Sequence, residues 1–347
     1  MIADHAPAEA APTVAVVGAG SWGTALALQF ARSGCNVRLW GRDRSQLEQL
    51  ARERVNARYL PDAAFPDNLH AVTELEECVS GVRDVLVSVP SHGLRETLAN
   101  IKPFLRDDAR VCWATKGFEL HTGKLPHEVA AEVLGAERAV AVLSGPTFAK
   151  EVGDGLPTAM TIAANDPVFA NELAVALSGE NFRAYTSDDM IGVEVGGAVK
   201  SVLAIGAGMS DGLGFGANSR VALINRGLVE MTRLGVALGA KKETFMGLAG
   251  MGDLVLTCTD NLSRNRRMGL ALASGMSVDE AKTEIQQVVE GVMAAEAVME
   301  VANELGIEMP ICHQVYRILY ENASPREAVG ALMRRSLKSE SDAADQA

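Results

Sequence analysis

The sequence predicts an α/β fold whose second half is entirely helical. Short apolar runs rich in β-branched residues alternate with helical segments up to about residue 187, and strand signals stop from Asp188 onward. A glycine-rich turn also joins the first predicted strand to the first predicted helix. These observations predict an alternating α/β domain over residues 13–187 and an all-helical C-terminal domain over residues 188–337.

The glycine-rich turn has the GxGxxG spacing. Gly18, Gly20 and Gly23 follow a predicted strand at residues 14–17. The first glycine permits a tight turn, the second leaves room for a pyrophosphate, and the third lets the next helix, predicted at residues 22–32, pack closely. The N-terminus of that helix would face the phosphates with free N–H groups. With a second strand predicted at 36–40, the motif indicates a Rossmann-type dinucleotide-binding domain; a plain glycine turn is the alternative.

The end of the second predicted strand indicates which dinucleotide binds. A site for NAD usually carries an acidic residue there, whereas this sequence has Gly41 followed by Arg42. A guanidinium suits the 2′-phosphate of NADP because its donors match phosphate oxygens. We therefore expect NADP(H) to be preferred, with NAD(H) also possible. The alternative is that Arg42 and Arg44 are surface residues, with Asp43 as the N-cap of the next helix.

The composition excludes several classes of protein. The 347 residues suffice for two domains, with 48 % apolar and 22 % charged residues. A net charge of −12 disfavours a general binder of nucleic acid or anionic membranes. The five cysteines are scattered and the six histidines lack metal-ligand spacing, so we expect free thiols, a reducing compartment and no metal.

The two ends of the chain and its apolar runs suggest a cytoplasmic protein. Residues 1–12 are rich in alanine and proline and lack the basic and apolar regions of a signal peptide. The tail after Leu337 is polar and acidic, which is typical of disorder. We also expect no apolar run of membrane-spanning length.

Periodicity predicts the remaining elements. In the first half we expect strands at residues 84–89, 110–114, 139–143, 158–163 and 182–186. We expect helices at residues 45–54 and 167–177, a helix that Ser91 caps and that ends near residue 100, and a loop at 61–66. In the second half we expect helices at residues 190–209, 217–238, 292–305 and 311–322.

Polar residues after the predicted strands are candidate site residues, because ligands gather at the carboxyl ends of parallel strands. His92 follows one strand, although such a histidine more often lines a site than acts as an acid or base. Lys116 follows the next strand and can reach a phosphate or a carbonyl oxygen; an exposed loop lysine is the alternative. Gly145 and Thr147 follow the strand at 139–143, where they offer close backbone approach and a hydroxyl.

Lys200 lies in the middle of a predicted helix made almost wholly of small and apolar residues. Helical spacing places four such residues on its face: Gly196, Gly197, Leu203 and Ala204. An unpaired buried ammonium is costly and its pKa falls, so this lysine needs a partner or a catalytic role as acid or base. The alternative is a lysine whose ammonium reaches the surface.

Two further motifs carry charge in the second half. Asp253 follows a glycine turn and either pairs with Lys200 or caps a helix. Residues 263–267 (SRNRR) form the one dense basic cluster of the sequence, a candidate clamp for an anion. A solvated basic face is the usual alternative for such a run.

Eight motifs in order resemble the bacterial NAD(P)-dependent glycerol-3-phosphate dehydrogenases. They are VGAGSWGTALA, PSH, WATKGFE, SGPTFAKE, GVEVGGAVKSVLAIGAGMSDGLGFGAN, AGMGDLVLTCT, SRNRRMG and VVEGV. The resemblance covers residues 13–335. It implies reduction of dihydroxyacetone phosphate to sn-glycerol 3-phosphate, the backbone of phospholipids, with hydride from the nicotinamide.

The resemblance also implies a role for each matching residue. Lys200 would be the catalytic acid/base. The substrate would contact Lys116, Gly145, Thr147, Lys200, Asp253, Ser263, Arg264 and Asn265. The cofactor would contact Gly18, Gly20, Ser21, Trp22, Gly23, Arg42, Lys116, Ala149, Arg264, Val288 and Glu290.

One departure from the family pattern is Ser201, because the family usually has asparagine after the catalytic lysine. A shorter hydroxyl would reach less far, which predicts an altered KM for the substrate. Rival interpretations are a dehydrogenase of the same two-domain plan that acts on a hydroxy acid or sugar acid, and a non-catalytic nucleotide sensor. A sensor would leave a buried Lys200 and Asp253 unexplained. A homodimer through the helical half is also expected.

Overall fold

The computed structural model describes residues 11–336 of the chain. The predictions made for residues 1–10 and for the tail from Leu337 onward lie outside the described residues. Within them, a largely parallel sheet with helices on both faces is followed by a bundle of helices. The predicted fold class is therefore confirmed.

The described strands form one large sheet and one small hairpin. They are β1 (Thr13–Val17), β2 (Asn36–Trp40), β3 (Val55–Asn56), β4 (Leu60–Ala64), β5 (Leu69–Ala71), β6 (Asp84–Val87), β7 (Arg110–Trp113), β8 (Val140–Ser144), β9 (Thr158–Ala164) and β10 (Phe182–Ser187). The large sheet has the order β10-β9-β8-β7-β6-β1-β2-β5. Its described strands pair in parallel except that β9 runs antiparallel to β8, and β10, which is parallel to β9, shares this reversed direction. Because the chain crosses from β5 back to β6, the switch point lies beside the carboxyl end of β1, where such folds bind ligands.

Helices cover the sheet and then build the second half. Beside the sheet lie α1 (Ser21–Arg32), α2 (Arg44–Glu53), α3 (Leu75–Val79), α4 (Leu94–Ile101), α5 (Pro126–Leu134), α6 (Ala149–Gly153) and α7 (Pro167–Leu177). The second half contains α8 (Met190–Gly212), α9 (Ala217–Ala237), α10 (Asp253–Thr259), α11 (Arg264–Ala273), α12 (Val278–Ile285), α13 (Glu290–Glu304), α14 (Pro310–Tyr320) and α15 (Pro325–Met333). A π-helical turn, Leu248–Gly252, leads into α10.

The centre of the helical half is α8. Its residues from Gly192 to Ser210 are buried, and five helices pack around it: α9, α10, α11, α13 and α14. With 23 residues it is long and apolar enough to cross a membrane, so the expectation that no run reaches that length was wrong. Its most apolar stretch is 89 % buried inside the protein, as in the core helix of a folded domain.

Two local predictions were also wrong. Residues 61–66 were expected to be a loop, but β4 pairs there with β3 because Leu60, Ala63 and Phe65 turn inward. Pro61 is accommodated because a two-stranded hairpin has unpaired edges. Ser91 does not cap a helix by its side chain; it begins a 3₁₀ turn, and α4 starts only at Leu94.

Candidate active site

Steric contacts explain the glycines of the β1–α1 turn. Gly18 has a φ of +126°, and a Cβ there would lie 2.2 Å from the Ser88 carbonyl oxygen. A Cβ on Gly23 would lie 1.8 Å from the Gly18 oxygen, so α1 can approach the turn only without a side chain at this position. At Gly20, by contrast, a Cβ would meet no described atom within 4 Å, and this N-cap of α1 makes no side-chain capping bond. The open space and the free helix N-terminus fit a dinucleotide pyrophosphate.

The residues after β2 differ in their availability to a ligand. Asp43 caps α2 by accepting from the Gln46 N–H at 3.1 Å, as the alternative interpretation proposed. Arg44 pairs with Glu48 and Glu74 at 3.2 and 2.7 Å. Arg42 is exposed and forms no ion pair with any residue between 11 and 336. Its guanidinium therefore remains free for an anion at the edge where the adenosine end of a dinucleotide would lie.

A cleft of about 380 Å³ lies between the sheet and the helical half. Ten of the residues singled out from the sequence line it: Ser21, Trp22, Lys116, Thr147, Ala149, Lys200, Ser263, Arg264, Asn265 and Glu290. Ser201 also lines it, next to Lys200. Arg267 of the predicted basic cluster lines it as well. Sequence reasoning missed other lining residues, namely Tyr59, Leu60, Ala114, Phe148, Lys150, Thr257, Asn261, Leu262 and Gln287. Of these, Thr257 had a detectable signal, because it lies one helical turn after Asp253.

Other predicted residues lie outside the cleft lining as far as the described residues go. Gly145 has a φ of +151°, and a Cβ there would lie 2.9 Å from Met160 Cα, so packing on β9 requires this glycine. Val288 is half-exposed and His92 is exposed. Asp253 is almost fully buried behind two lysines. The three turn glycines and Arg42 are not among the residues that line the cleft.

Two lysines meet on one carboxylate at the floor of the cleft. Lys116 Nζ donates to Asp253 Oδ2 at 2.7 Å, and Lys200 Nζ donates to Oδ1. Lys200 also donates to the Thr257 hydroxyl at 3.2 Å, and this hydroxyl donates to the Asp253 carbonyl oxygen at 2.6 Å. The structure thus favours a paired Lys200 over one that reaches the surface, and it makes Gly252 rather than Asp253 the N-cap of α10.

The shared carboxylate sets the charge of the group. Burial lowers the pKa of Lys200 to about 8; the Asp253 charge opposes this shift and the Lys116 charge adds to it. Burial would also lower the pKa of Lys116, but Asp253 outweighs it and the net direction is upward. Burial acts to raise the pKa of Asp253, but the two ammonium groups hold it below its ordinary value. Lys200 is therefore the member that can exchange a proton near neutral pH.

Small residues on α8 allow this cluster to form. A Cβ at Gly196 would lie 2.4 Å from the Ala249 carbonyl oxygen, so the turn before α10 can approach only a glycine. A Cβ at Gly197 would lie 3.3 Å from Lys116 Cγ. Close packing of the Lys116 stem and the α10 turn on α8 therefore brings the three charged groups together.

The opposite wall comes from the start of α11. Ser263 caps α11 by accepting from the Arg266 N–H at 3.2 Å. Asn265 Oδ1 accepts from the Gly291 N–H at 2.9 Å, which joins α11 to α13. Arg264 lines the cleft, and its side chain makes no hydrogen bond or ion pair with the part of the chain that the structure describes. Arg264 and Arg267 give this wall a positive charge that suits an anion.

Comparison with known proteins identifies the family. Residues 13–170 match the family model for the N-terminus of NAD-dependent glycerol-3-phosphate dehydrogenase, and residues 189–330 match the model for its C-terminus. A glycerol-3-phosphate dehydrogenase (NAD(P)+) of Aliivibrio fischeri is 55 % identical over 330 residues, which cover 95 % of this chain and 96 % of that protein. The corresponding protein of Klebsiella pneumoniae is 56 % identical over 326 residues, 94 % of this chain and 96 % of that protein.

A solved structure agrees with these matches. The crystal structure of glycerol-3-phosphate dehydrogenase from Coxiella burnetii has a TM-score of 0.91 and 48 % sequence identity, and it covers 94 % of this chain and 99 % of that one. The agreement spans the sheet, the cleft and the helical half together. The chain belongs to the NAD-dependent glycerol-3-phosphate dehydrogenase family.

Proposed function

We propose that this chain reduces dihydroxyacetone phosphate reversibly to sn-glycerol 3-phosphate, the backbone of glycerophospholipids, with NADP(H) preferred and NAD(H) accepted. The observation that carries the proposal is the Lys116–Asp253–Lys200 cluster, which shares one cleft with the free N-terminus of α1 and the basic wall of α11. A carbonyl compound with a phosphate group is complementary to both ends of such a cleft.

Lys200 is suited to the proton transfer that the reduction requires. When bound, the reduced nicotinamide supplies a hydride to the carbonyl carbon of the substrate. Negative charge then grows on the carbonyl oxygen, and Lys200 Nζ donates the proton that converts it to the hydroxyl. Such general acid catalysis contributes about a hundred- to ten-thousandfold in rate. A lysine whose pKa is about 8 is protonated at neutral pH and gives up its proton readily.

Lys116 and Asp253 have supporting roles in the proposal. The Lys116 ammonium, 2.7 Å from Asp253, adds positive charge beside the developing oxyanion. Asp253 is buried and holds both ammonium groups, so it orients them and limits their motion. A preoriented pair of donors has little reorganisation left to make when the substrate binds.

The basic wall would hold the substrate phosphate. The protein carries a net charge of −12, so an anionic substrate needs locally concentrated positive charge. We assign the phosphate to Arg264 and Asn265 at the start of α11, with Ser263 beside them. Arg264 is a free guanidinium among the described residues, and charge-assisted hydrogen bonds from it fix the ketone near Lys200. Gly145 and Thr147 would complete the substrate contacts.

The start of α1 would hold the dinucleotide. Ser21 and Trp22 line the cleft there, and Trp22 Nε1 is buried without a hydrogen-bond partner among the described residues. A bound ligand that accepts from this indole would remove that cost. We assign further cofactor contacts to Ala149, Val288 and Glu290, and the 2′-phosphate to Arg42.

The test is the loss of nicotinamide absorbance with dihydroxyacetone phosphate, measured in parallel with NADPH and NADH. Rapid oxidation supports the reaction, and the ratio of the two kcat/KM values measures the preference that we attribute to Arg42. Folded protein that binds NADPH but oxidises neither cofactor would contradict the proposal. It would direct attention to carboxylate-bearing ketones and then to a nucleotide sensor.

We also propose a cytoplasmic homodimer that forms through the helical half. The five cysteines are all buried free thiols, which suits a reducing compartment. Val221 on α9 is 64 % exposed, an apolar side chain on the outer surface of the helical half. Light scattering from purified protein measures the oligomeric state; a monomer at micromolar concentration would contradict the dimer.

A further inference from the structure

Glu194 on α8 is a buried carboxylate outside the cleft. Its side chain is 1 % exposed. It accepts from Trp113 Nε1 at 3.0 Å and from the His127 backbone N–H at 3.0 Å. The Nδ1 atom of His127 lies 2.6 Å from its second oxygen. These contacts offset part of the cost of burying the carboxylate, although burial still raises its pKa, and they hold the Glu194 side chain in one position.

The partners of Glu194 come from the other half of the molecule. Trp113 is the last residue of β7, and His127 lies in the first turn of α5. Glu194 itself belongs to the central helix of the helical half. The carboxylate therefore ties the end of β7 to α8 across the boundary between sheet and bundle.

The two tied segments are also the ones that carry the lysines. Lys116 follows Trp113 by three residues, and Lys200 follows Glu194 by six residues, about 9 Å along the helix. Between them the Lys116 stem passes over Gly197, where a Cβ would lie only 3.3 Å from Lys116 Cγ. A shift of β7 relative to α8 would consequently move Lys116 away from Asp253 and Lys200.

We propose that Glu194 is a positioning residue that holds the end of β7 against α8 so that Lys116 and Lys200 meet on Asp253. It touches neither substrate nor cofactor and acts only through these lysines. The inference rests on the proposed function, because it assumes that the lysine pair performs the chemistry.

Loss of this tie has a specific consequence for Lys200. Asp253 and Lys116 face Lys200 from α10 and the loop after β7, the Cys258 thiol lies near it on α10, and Glu290 acts on Lys116 from α13. After burial and Asp253, the Lys116 charge is the next cause that shifts the Lys200 pKa, and it acts downward. If Lys116 withdraws, the pKa of Lys200 rises.

The experiment compares Glu194→Met with Glu230→Met, because methionine has a similar length and lacks the acceptor oxygens that a glutamine would keep. Glu230 is a matched control because it is also a buried carboxylate and accepts from the Ile311 and Cys312 N–H groups at 2.6 and 3.1 Å. It joins α9 to α14, and neither helix contributes a residue to the cleft lining. For Glu194→Met we expect kcat about tenfold lower, the alkaline limb of the kcat profile at higher pH, and unchanged NADPH affinity. For Glu230→Met we expect wild-type kcat per mole of folded enzyme and an alkaline limb at the wild-type pH.

Equal behaviour of the two variants would reduce Glu194 to a structural residue and overturn the inference. If Glu194→Met fails to fold, His127→Ala removes only the contact of the partly exposed imidazole, and we expect the same shift of the alkaline limb in smaller measure. An unmoved limb in that variant also overturns the inference. Magnetic resonance titration of isotope-labelled lysine side chains measures the Lys200 pKa without turnover, so the inference can fail or stand even if the proposed reaction is rejected.

Discussion

The two ligand-binding regions of this molecule are assembled in opposite ways. The dinucleotide turn comes from one continuous stretch, β1 to the end of β2. Contacts with Ser88 and within the turn explain Gly18 and Gly23, whereas Gly20 faces open space. The lysine cluster takes Lys116, Lys200 and Asp253 from a loop after β7, from α8 and from α10. The effect of a substitution in the continuous motif is therefore set by its immediate neighbours. The geometry of the lysine cluster depends instead on how the two halves of the chain pack.

The largest effect is expected at the cluster. Lys200→Ala removes the proton donor, and we expect kcat for dihydroxyacetone phosphate to fall about a hundred- to ten-thousandfold with NADPH affinity retained. Steady-state kinetics and a direct binding titration measure the two quantities. A variant with near wild-type turnover would contradict the role of Lys200, and parallel loss of NADPH affinity would indicate a damaged fold instead.

Two glycines of the turn provide a matched pair. Gly18→Ala forces a Cβ against the Ser88 oxygen at a left-handed φ, and we expect the free energy of unfolding to fall by about 1–3 kcal/mol. Gly20→Ala meets no described atom, so we expect a change below about 0.5 kcal/mol together with clearly weaker NADPH binding. Urea unfolding and binding titrations separate the two effects. Equal stability loss in both variants would refute the distinction between a packing glycine and a ligand glycine.

A substitution of Arg42, just after β2, tests the origin of the cofactor preference. Arg42→Gln removes a free guanidinium, and we expect KM for NADPH to rise about ten- to a hundredfold while KM for NADH stays near its wild-type value. Arg44→Gln is the control, because Arg44 is already paired with Glu48 and Glu74. If Arg42→Gln raises both KM values equally, the 2′-phosphate is read elsewhere.

The smallest effect is expected beside the catalytic lysine. Ser201 is buried and lines the cleft, at the position where the family resemblance leads us to expect asparagine. A water can bridge the gap left by the shorter side chain, so Ser201→Asn should change KM for dihydroxyacetone phosphate only a few-fold. An unchanged KM in this variant would contradict the prediction that Ser201 alters substrate binding.

The dinucleotide turn and most long elements followed from local sequence rules. The glycine spacing predicted the turn, and the strand at Asn36–Trp40 and the helix at Pro167–Leu177 were predicted with their observed bounds. Some missed elements are short, such as β5 with three residues and α3 with five, because no periodicity develops over such lengths. Four helices of eight to ten residues, α5, α11, α12 and α15, were also not predicted.

The lysine cluster was predictable only in part. The apolar helix around Lys200 predicted its burial. Its pairing with Asp253 and the position of Lys116 beside it depend on the packing of Gly196 and Gly197 against distant segments. The Glu194 tie carried no local signal at all, since its partners lie 81 and 67 residues away. Contacts at such separations are set by tertiary packing, which propensity does not encode.

The most direct measurement is the pH dependence of kcat in both directions, in the wild type. Lys200, with a pKa of about 8, must be protonated to donate in ketone reduction, so the reduction rate should fall as pH rises through about 8. In alcohol oxidation the same group must be deprotonated, so that rate should rise over the same range. Mirror-image profiles with one shared midpoint support Lys200 as the acid and base. Rates that stay flat through this range in both directions would contradict the account.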